Sequence, residues 1–182
     1  MPLAKYVSNN QQVNKTLLAR GLINDIPESC KILGMTLDLK LDSFILNLPN
    51  FNVTDPTLTS VLSDHSTIWD IVGFIEPVRV LSKVFINKLH AKKLNWKSKL
   101  DKDQITEWKS IVQLFKSNAT GKFRRCVSVN PSGSHTLHVF TDASNLGYGC
   151  IAYVVNHSTV NSSSMLCAKS KLKGSTTKST IP

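Results

Sequence analysis

Apolar residues change their spacing twice along this chain, and that change constrains its fold more than any other feature. Between Leu58 and Phe115 they recur at intervals of three and four: Leu58, Val61, Leu62, Ile68, Trp69 and Val72; then Val78, Leu81, Phe85 and Leu89; then Ile105, Trp108, Val112 and Phe115. That is the period of helices with one buried face. On either side the pattern turns into short β-prone runs, over 32–39 and 44–48 before it and over 136–141, 147–155 and 165–170 after it. Strands and helices segregated along the chain, rather than alternating, predict an α+β fold. A β-hairpin comes first, then a small helical bundle, then an antiparallel sheet of three consecutive strands.

Local signals place the breaks. Asp38-Leu-Lys-Leu-Asp-Ser43 reads as the hairpin turn, and Pro49 ends the second run. Thr54-Asp55-Pro56 has the form of a helix start, with a break near Gly73. Pro77 opens the second helix, and Asp101 or Asp103 the third, where acids complement the helix dipole. Composition shifts after Phe123, and Asn130-Pro-Ser-Gly-Ser134 is a turn. Three regions follow: 1–50 with the hairpin, 51–125 helical, and 126–182 with the strands. The polar tail from Lys171 is expected to be loose.

Twenty-two lysines and arginines against twelve acids give a formal charge of +10, which favours an anionic partner such as nucleic acid. Thirteen of those cations and only three acids fall between Arg79 and Arg125. Lys83, Lys88, Lys92, Lys93, Lys97, Arg124 and Arg125 are the candidate phosphate contacts, with Trp96 and Trp108 interleaved as candidate stacking rings. A solvated basic surface produces the same pattern, and Trp108 also fits the apolar stripe of its helix. No apolar run approaches the length of a membrane span, so no membrane partner is expected, and the N-terminus lacks the apolar core of a signal peptide. A soluble intracellular chain is the expectation. Cys30, Cys126, Cys150 and Cys167 form no C-x-x-C pair and read as reduced, mostly buried thiols.

Asp142 carries the one chemical signal. It follows the apolar run Leu137-His-Val-Phe-Thr and precedes small residues, as a carboxylate holding a divalent cation at a sheet rim would. Asp-Ala-Ser-Asn is equally ordinary turn chemistry. Asp142 is the only Asp or Glu after Glu107. Two-metal phosphodiester hydrolysis needs several carboxylates around cations about 4 Å apart, so Asp142 alone makes an incomplete metal site. His135 and His138, three apart on an extended segment, face opposite sides and would not chelate one ion.

The stretch Leu137-His-Val-Phe-Thr-Asp-Ala-Ser-Asn-Leu-Gly-Tyr-Gly-Cys-Ile-Ala-Tyr153, followed by Ser164-Met-Leu-Cys-Ala-Lys-Ser-Lys171 and Thr180-Ile-Pro182, resembles the ribonuclease H-like start in Bel/Pao-type LTR retrotransposon polyproteins. Upstream, Leu3-Ala-Lys-Tyr-Val-Ser-Asn9 is similar to the family's L-x-K-W-x-S-N and Lys31-Ile-Leu-Gly-Met-Thr-Leu-Asp38 to its K-V-L-G-L-x-W-D. Asp70-Ile-Val-Gly-Phe-Ile-Glu-Pro-Val78 is similar to D-P-L-G-x-x-S-P-V, with Ile71 in place of proline and Glu76 in place of serine, and Leu94-Asn-Trp96 to L-x-W.

The resemblance implies that residues up to about 50 end a reverse transcriptase palm, that the helices are its thumb or connection region, and that 126–182 begins a ribonuclease H-like sheet, cut short. It implies Asp142 as the first ribonuclease H carboxylate, vestigial here, and an RNA/DNA hybrid or other nucleic acid and the remainder of the polyprotein as partners. Mg2+ or Mn2+ would serve the parent family, with none expected to bind tightly to this chain. The sequence stops before the family's R-x-E-L segment, which leaves one face of Ile151, Tyr153, Val155 and Leu166 without its covering helix. No two acids are adjacent anywhere, so there is no Tyr-x-Asp-Asp polymerase box. The family's occasional label as a peptidase finds no Asp-Thr-Gly or Asp-Ser-Gly loop; the nearest strings are Asp42-Ser-Phe and Asp142-Ala-Ser. A non-catalytic nucleic-acid-binding module or a host-adopted interaction protein is the competing expectation.

Overall fold

The computed structural model describes residues 6–119, 121–127, 133–157 and 162–173. Four helices and two antiparallel sheets account for them, which makes the fold α+β. Much of the turn at Asn130-Pro-Ser-Gly-Ser134, the tail beyond Lys173, the Thr180-Ile-Pro182 block and the first residues of the Leu3–Asn9 block lie outside the described residues.

Helix α1, Gln11–Ala19, has no counterpart in the apolar periodicity. Its signal was the cap: the Asn10 side chain accepts hydrogen bonds from the Gln12 and Val13 amides at 2.9 and 3.3 Å.

The expected hairpin is a three-stranded unit, β1 (Ser29–Ile32), β2 (Met35–Asp38) and β3 (Ser43–Ile45). The first apolar run is split by a two-residue turn at Leu33-Gly34, with φ of +47° and +85°. Positive φ at both central positions matches the twist of adjoining strands. Gly34 is required there twice over, because a Cβ would lie 2.2 Å from Trp69 Cγ. The expected turn at 38–43 is present, with the Leu41 amide donating to Asp38 Oδ1. A short strand the sequence did not announce, β4 (Lys122–Arg124), pairs with β3 and completes the sheet in the order β1-β2-β3-β4. The helices are therefore an excursion between two neighbouring strands.

Helix α2 is Leu58–Ser66. Its cap is Thr57 rather than the Thr54-Asp55-Pro56 start: the Ser60 amide donates to Thr57 Oγ1 at 3.2 Å while Thr57 N donates back to Ser60 Oγ at 2.8 Å. Ile68 and Val72, in helical phase with α2, lie outside it in a loop organised by Asp70. That carboxylate, 5 % exposed, accepts hydrogen bonds from the Gly73, Phe74 and Ile75 amides at 2.8 to 2.9 Å. Helix α3, Glu76–Ala91, starts from that loop with Pro77 in its first turn, where a missing N–H is harmless. Helix α4, Lys102–Asn118, is capped by Asp101, whose carboxylate and the Gln104 side chain exchange hydrogen bonds.

The core sits between these helices and β2–β3. Trp108, Phe115, Phe85 and Met35 are at most 1 % exposed. Phe51 stacks on Phe115 and meets Trp108 edge-on, Phe85 stacks on Trp108, and the buried indole N–H donates to the Asn52 carbonyl at 3.2 Å. Trp108 is thus a core residue and offers no stacking surface. His65 Nδ1 lies 2.7 Å from the buried Ser82 Oγ, which itself donates to the Arg79 carbonyl, so the ring nitrogen is the donor of that pair. Burial, then the charges of Arg79 and Lys83, lower the His65 pKa to about 4.

The second sheet is the expected meander: β5 (His135–Ala143), β6 (Gly147–Asn156) and β7 (Ser162–Leu172), in that order and antiparallel. Lys171 and Leu172, expected in the loose tail, belong to β7. Ile151, Tyr153 and Val155 share one face and are half-buried, whereas Leu166 falls at the β7 irregularity opposite Ala152 and Tyr153. Of the cysteines only Cys30 is half-buried; the other three are exposed, against expectation, and Cys150 and Cys167 stand on the face of the sheet turned away from the buried Ala168. All four are free thiols.

Candidate functional site

The second sheet meets the helical body along β7. The Ala168 amide donates to the Val72 carbonyl at 2.7 Å, and Gly73, at φ +90°, lies so close that a Cβ there would stand 2.1 Å from the Ala168 carbonyl oxygen. Next to this joint lies Glu76, 5 % exposed. Its carboxylate accepts from Lys83 Nζ and from the Ser170 hydroxyl and amide, with Arg79 at 3.7 Å, while Lys83 also donates to the Ser170 carbonyl at 3.2 Å. Burial pushes the Glu76 pKa up, but the hydrogen bonds from Lys83 and Ser170 and the charges of Lys83 and Arg79 outweigh it, and the net shift is downward. Glu76 therefore pins β7 to α3.

Between α3 and the sheet is a cleft of about 410 Å³, walled by Pro77, Val80, Leu81 and Val84 on one side and by Phe140 and Leu172 on the other. Asp142 lines it. This residue lies inside β5 rather than in the turn that Asp-Ala-Ser-Asn suggests: it pairs with Gly149, and the turn itself is closed by the Ser144 amide donating to the Gly147 carbonyl at 2.8 Å. Register sets Asp142, Gly149 and Ser170 in one row across the sheet. Asp142 is exposed, and one carboxylate oxygen accepts from the Ala143 amide.

The only other carboxylate lining this cleft is Glu76, which accepts from Ser170, a residue two strands across the sheet from Asp142. It is also already neutralised by Lys83 and Arg79. Among the described residues no group of three or more His, Cys, Asp or Glu is placed to hold a metal ion. The donors present therefore do not fit a pair of divalent cations, which lie about 4 Å apart and need several carboxylates around them. His138, on the same face as Phe140, stacks against its ring at 6.4 Å, and Phe140 meets Tyr153 edge-on.

The basic candidates separate into three sets. Lys83 and Arg125 are structural: Lys83 through Glu76 and Ser170, and Arg125 through a two-pronged contact with Asp42 at 2.6 and 3.1 Å. Lys88 and Lys92 pair with Glu107 and Asp101 at 2.6 and 3.8 Å on open surface, where such pairs are weak. Lys93, Lys97 and Arg124 have no ion-pair partner among the described residues. Lys92, Lys93 and Lys97 come together in the α3–α4 connection, whereas Arg124 and Arg125 lie at β4. No helix among the described residues is long and apolar enough to cross a membrane.

Sequence reasoning passed over the Glu76 joint and the cleft, both products of contact between residues about ninety positions apart. Its one usable signal was the acid at Glu76, directly ahead of Pro77.

No curated protein and no solved structure matches the chain. A family model described as Pao retrotransposon-like RNaseH-like domain matches residues 57–182, from the cap of α2 through the last strand. That span covers more than half of the chain, and it contains both walls of the cleft and the strand that bears Asp142. The chain belongs to the Pao retrotransposon-like RNaseH-like domain family.

Proposed function

We propose that this chain serves, as part of a retrotransposon pol polyprotein, to hold an RNA/DNA hybrid without cutting it. The observation that carries the reading is the isolation of Asp142. Its row neighbours Gly149 and Ser170 bring no charge, Glu76 is committed to Lys83, and the sequence offers no further acid beyond Glu107. Hydrolysis would need carboxylates from residues outside this chain.

Charge supports the binding half. A surplus of ten cations favours a phosphate backbone, and exposed ion pairs such as Lys88–Glu107 hold their lysines only weakly. Residues 1–50 are read as the end of a polymerase palm, and the rest of the polyprotein as the natural partner.

Fluorescence anisotropy with a labelled RNA/DNA hybrid tests this. Affinity should fall steeply with added salt, log K dropping by about 0.9 per phosphate contact for each unit of log salt. Asp142→Asn should leave affinity unchanged or slightly raise it, since it removes a negative charge. Affinity indifferent to salt contradicts the reading. So does Mg2+ or Mn2+ strengthening the wild type but not Asp142→Asn.

A further inference from the structure

One large aromatic side chain is left outside every packing arrangement described so far. Trp96 is 60 % exposed, yet its backbone is firmly held. Its carbonyl accepts from Thr59 Oγ1 at 2.7 Å and from the Thr59 amide at 3.0 Å, Thr57 and Lys99 form an isolated antiparallel bridge, and the Leu100 amide donates to the Pro56 carbonyl at 3.0 Å. Leu94 packs against the core on one side and Leu100, 6 % exposed, is buried on the other. The connection is thus anchored at both ends and laced to the start of α2, while the indole points away from the core.

The surroundings of that ring are chemically uniform. His90 meets it edge-on, with centroids 6.0 Å apart. Lys92, Lys93, Lys97 and Lys99 lie within a few residues of it, and Lys93 leaves the helix at φ +52°. Only Asp101 and Asp55 offset them, through exposed pairs with Lys92 and Lys99.

A rigidly presented indole among lysines combines the two elements that bind single-stranded nucleic acid: a platform for one base and cations for the phosphates beside it. A duplex does not fit this feature, because its bases are already stacked on one another and offer no free face to a single protruding ring. The patch also lies apart from Asp142: α3 separates Glu76 from Lys92 by sixteen residues, about 24 Å along the helix.

We propose that the α3–α4 connection is a binding site for single-stranded nucleic acid, in which a base stacks on Trp96 and Lys93 and Lys97 hold the flanking phosphates. This site does not depend on the hybrid binding proposed above. It would keep an unpaired strand on the protein beside the hybrid.

The test uses the full chain at low salt with two labelled probes, an oligothymidylate dodecamer and an abasic strand of the same phosphate count. Trp96→Ala should weaken oligothymidylate binding about ten-fold, Trp96→Phe should keep most of it, and the abasic strand should bind weakly and ignore Trp96→Ala. Lys93→Ala/Lys97→Ala should weaken both probes and flatten the salt dependence. Because the ring is exposed, thermal midpoints of the Trp96 variants should match the wild type. Equal binding of the two probes, or wild-type affinity in Trp96→Ala, overturns the proposal. No binding of oligothymidylate at low salt also overturns it and leaves a protein partner for the ring. Hybrid binding that fails while oligothymidylate binding persists would remove the function proposed above and leave this site standing.

Discussion

The two halves of this molecule are held together by different means. In the body formed by β1–β4 and α2–α4, side chains pack into one core cluster: Trp108, Phe85, Phe115, Met35 and Val61 are at most 1 % exposed within it. In the β5–β7 sheet the backbone ladder is long, with one irregularity at Leu166, but Ala168 is the only buried apolar side chain, and Leu137, Val139 and Phe140 are 59, 56 and 58 % exposed. No residue of that sheet enters the central cluster. The strand that carries Asp142 is thus the part with least packing of its own. Its place depends on a short joint made by Val72, Gly73, Glu76 and Lys83.

The sharpest way to break this contrast is Trp108→Ala. Removing a fully buried indole should destabilise the whole chain by about 3 to 5 kcal/mol in urea titrations, while Val139→Ala on the open sheet should change stability by less than about 0.5 kcal/mol. Similar values for the two would dissolve the distinction.

Asp70→Ala comes next. It strips hydrogen-bond acceptors from three amides at the start of α3 and should cost about 3 kcal/mol, seen as a lower urea midpoint with an unchanged slope.

Glu76→Gln should act locally. Losing the charge that Lys83 answers should weaken the joint by roughly 1 to 2 kcal/mol, so that amides of β7 exchange faster with solvent while those of α4 keep their protection. Uniform acceleration would mean that the sheet and body unfold as one unit.

The last is a pH dependence, absent at neutral pH and growing only on acidification. The folded pKa of His65, about 4, lies below its ordinary 6.5, so the unfolded chain takes up the proton first. Its contribution to stability is complete above pH 6.5 and drains away between 6.5 and about 4. Glu76, also lowered, adds a loss as pH falls further, below the usual carboxylate range. Thermal midpoints should therefore decline from pH 7 to 4, and His65→Gln should flatten the upper part of that decline.

What could be read from the sequence was whatever depends on near neighbours. The stripe through Ile105, Trp108, Val112 and Phe115 gave α4, and Pro77 and Asp101 marked two helix starts, because caps and periods are local physics. Three consecutive strands after residue 133 were legible from alternation and turns. Strand β4 was not, since Lys122-Phe-Arg124 holds one apolar residue and finds its partner, β3, about eighty positions upstream. The helical phase of Ile68 misled for a related reason. Ile68 is buried and Trp69 covers Gly34, so both serve tertiary contacts outside α2. At the site, Asp142 could be singled out as the lone acid of its region. Its position inside the strand, and the commitment of Lys83 to Glu76 rather than to a phosphate, depended on the docking of β7 against α3.

The central claim, that this chain holds a hybrid it does not cut, is tested most directly by incubating the purified full chain with an end-labelled RNA/DNA hybrid in Mg2+ and in Mn2+. The account predicts intact RNA in both, for wild type and Asp142→Asn alike. Metal-dependent cleavage by the wild type that disappears in Asp142→Asn would contradict it.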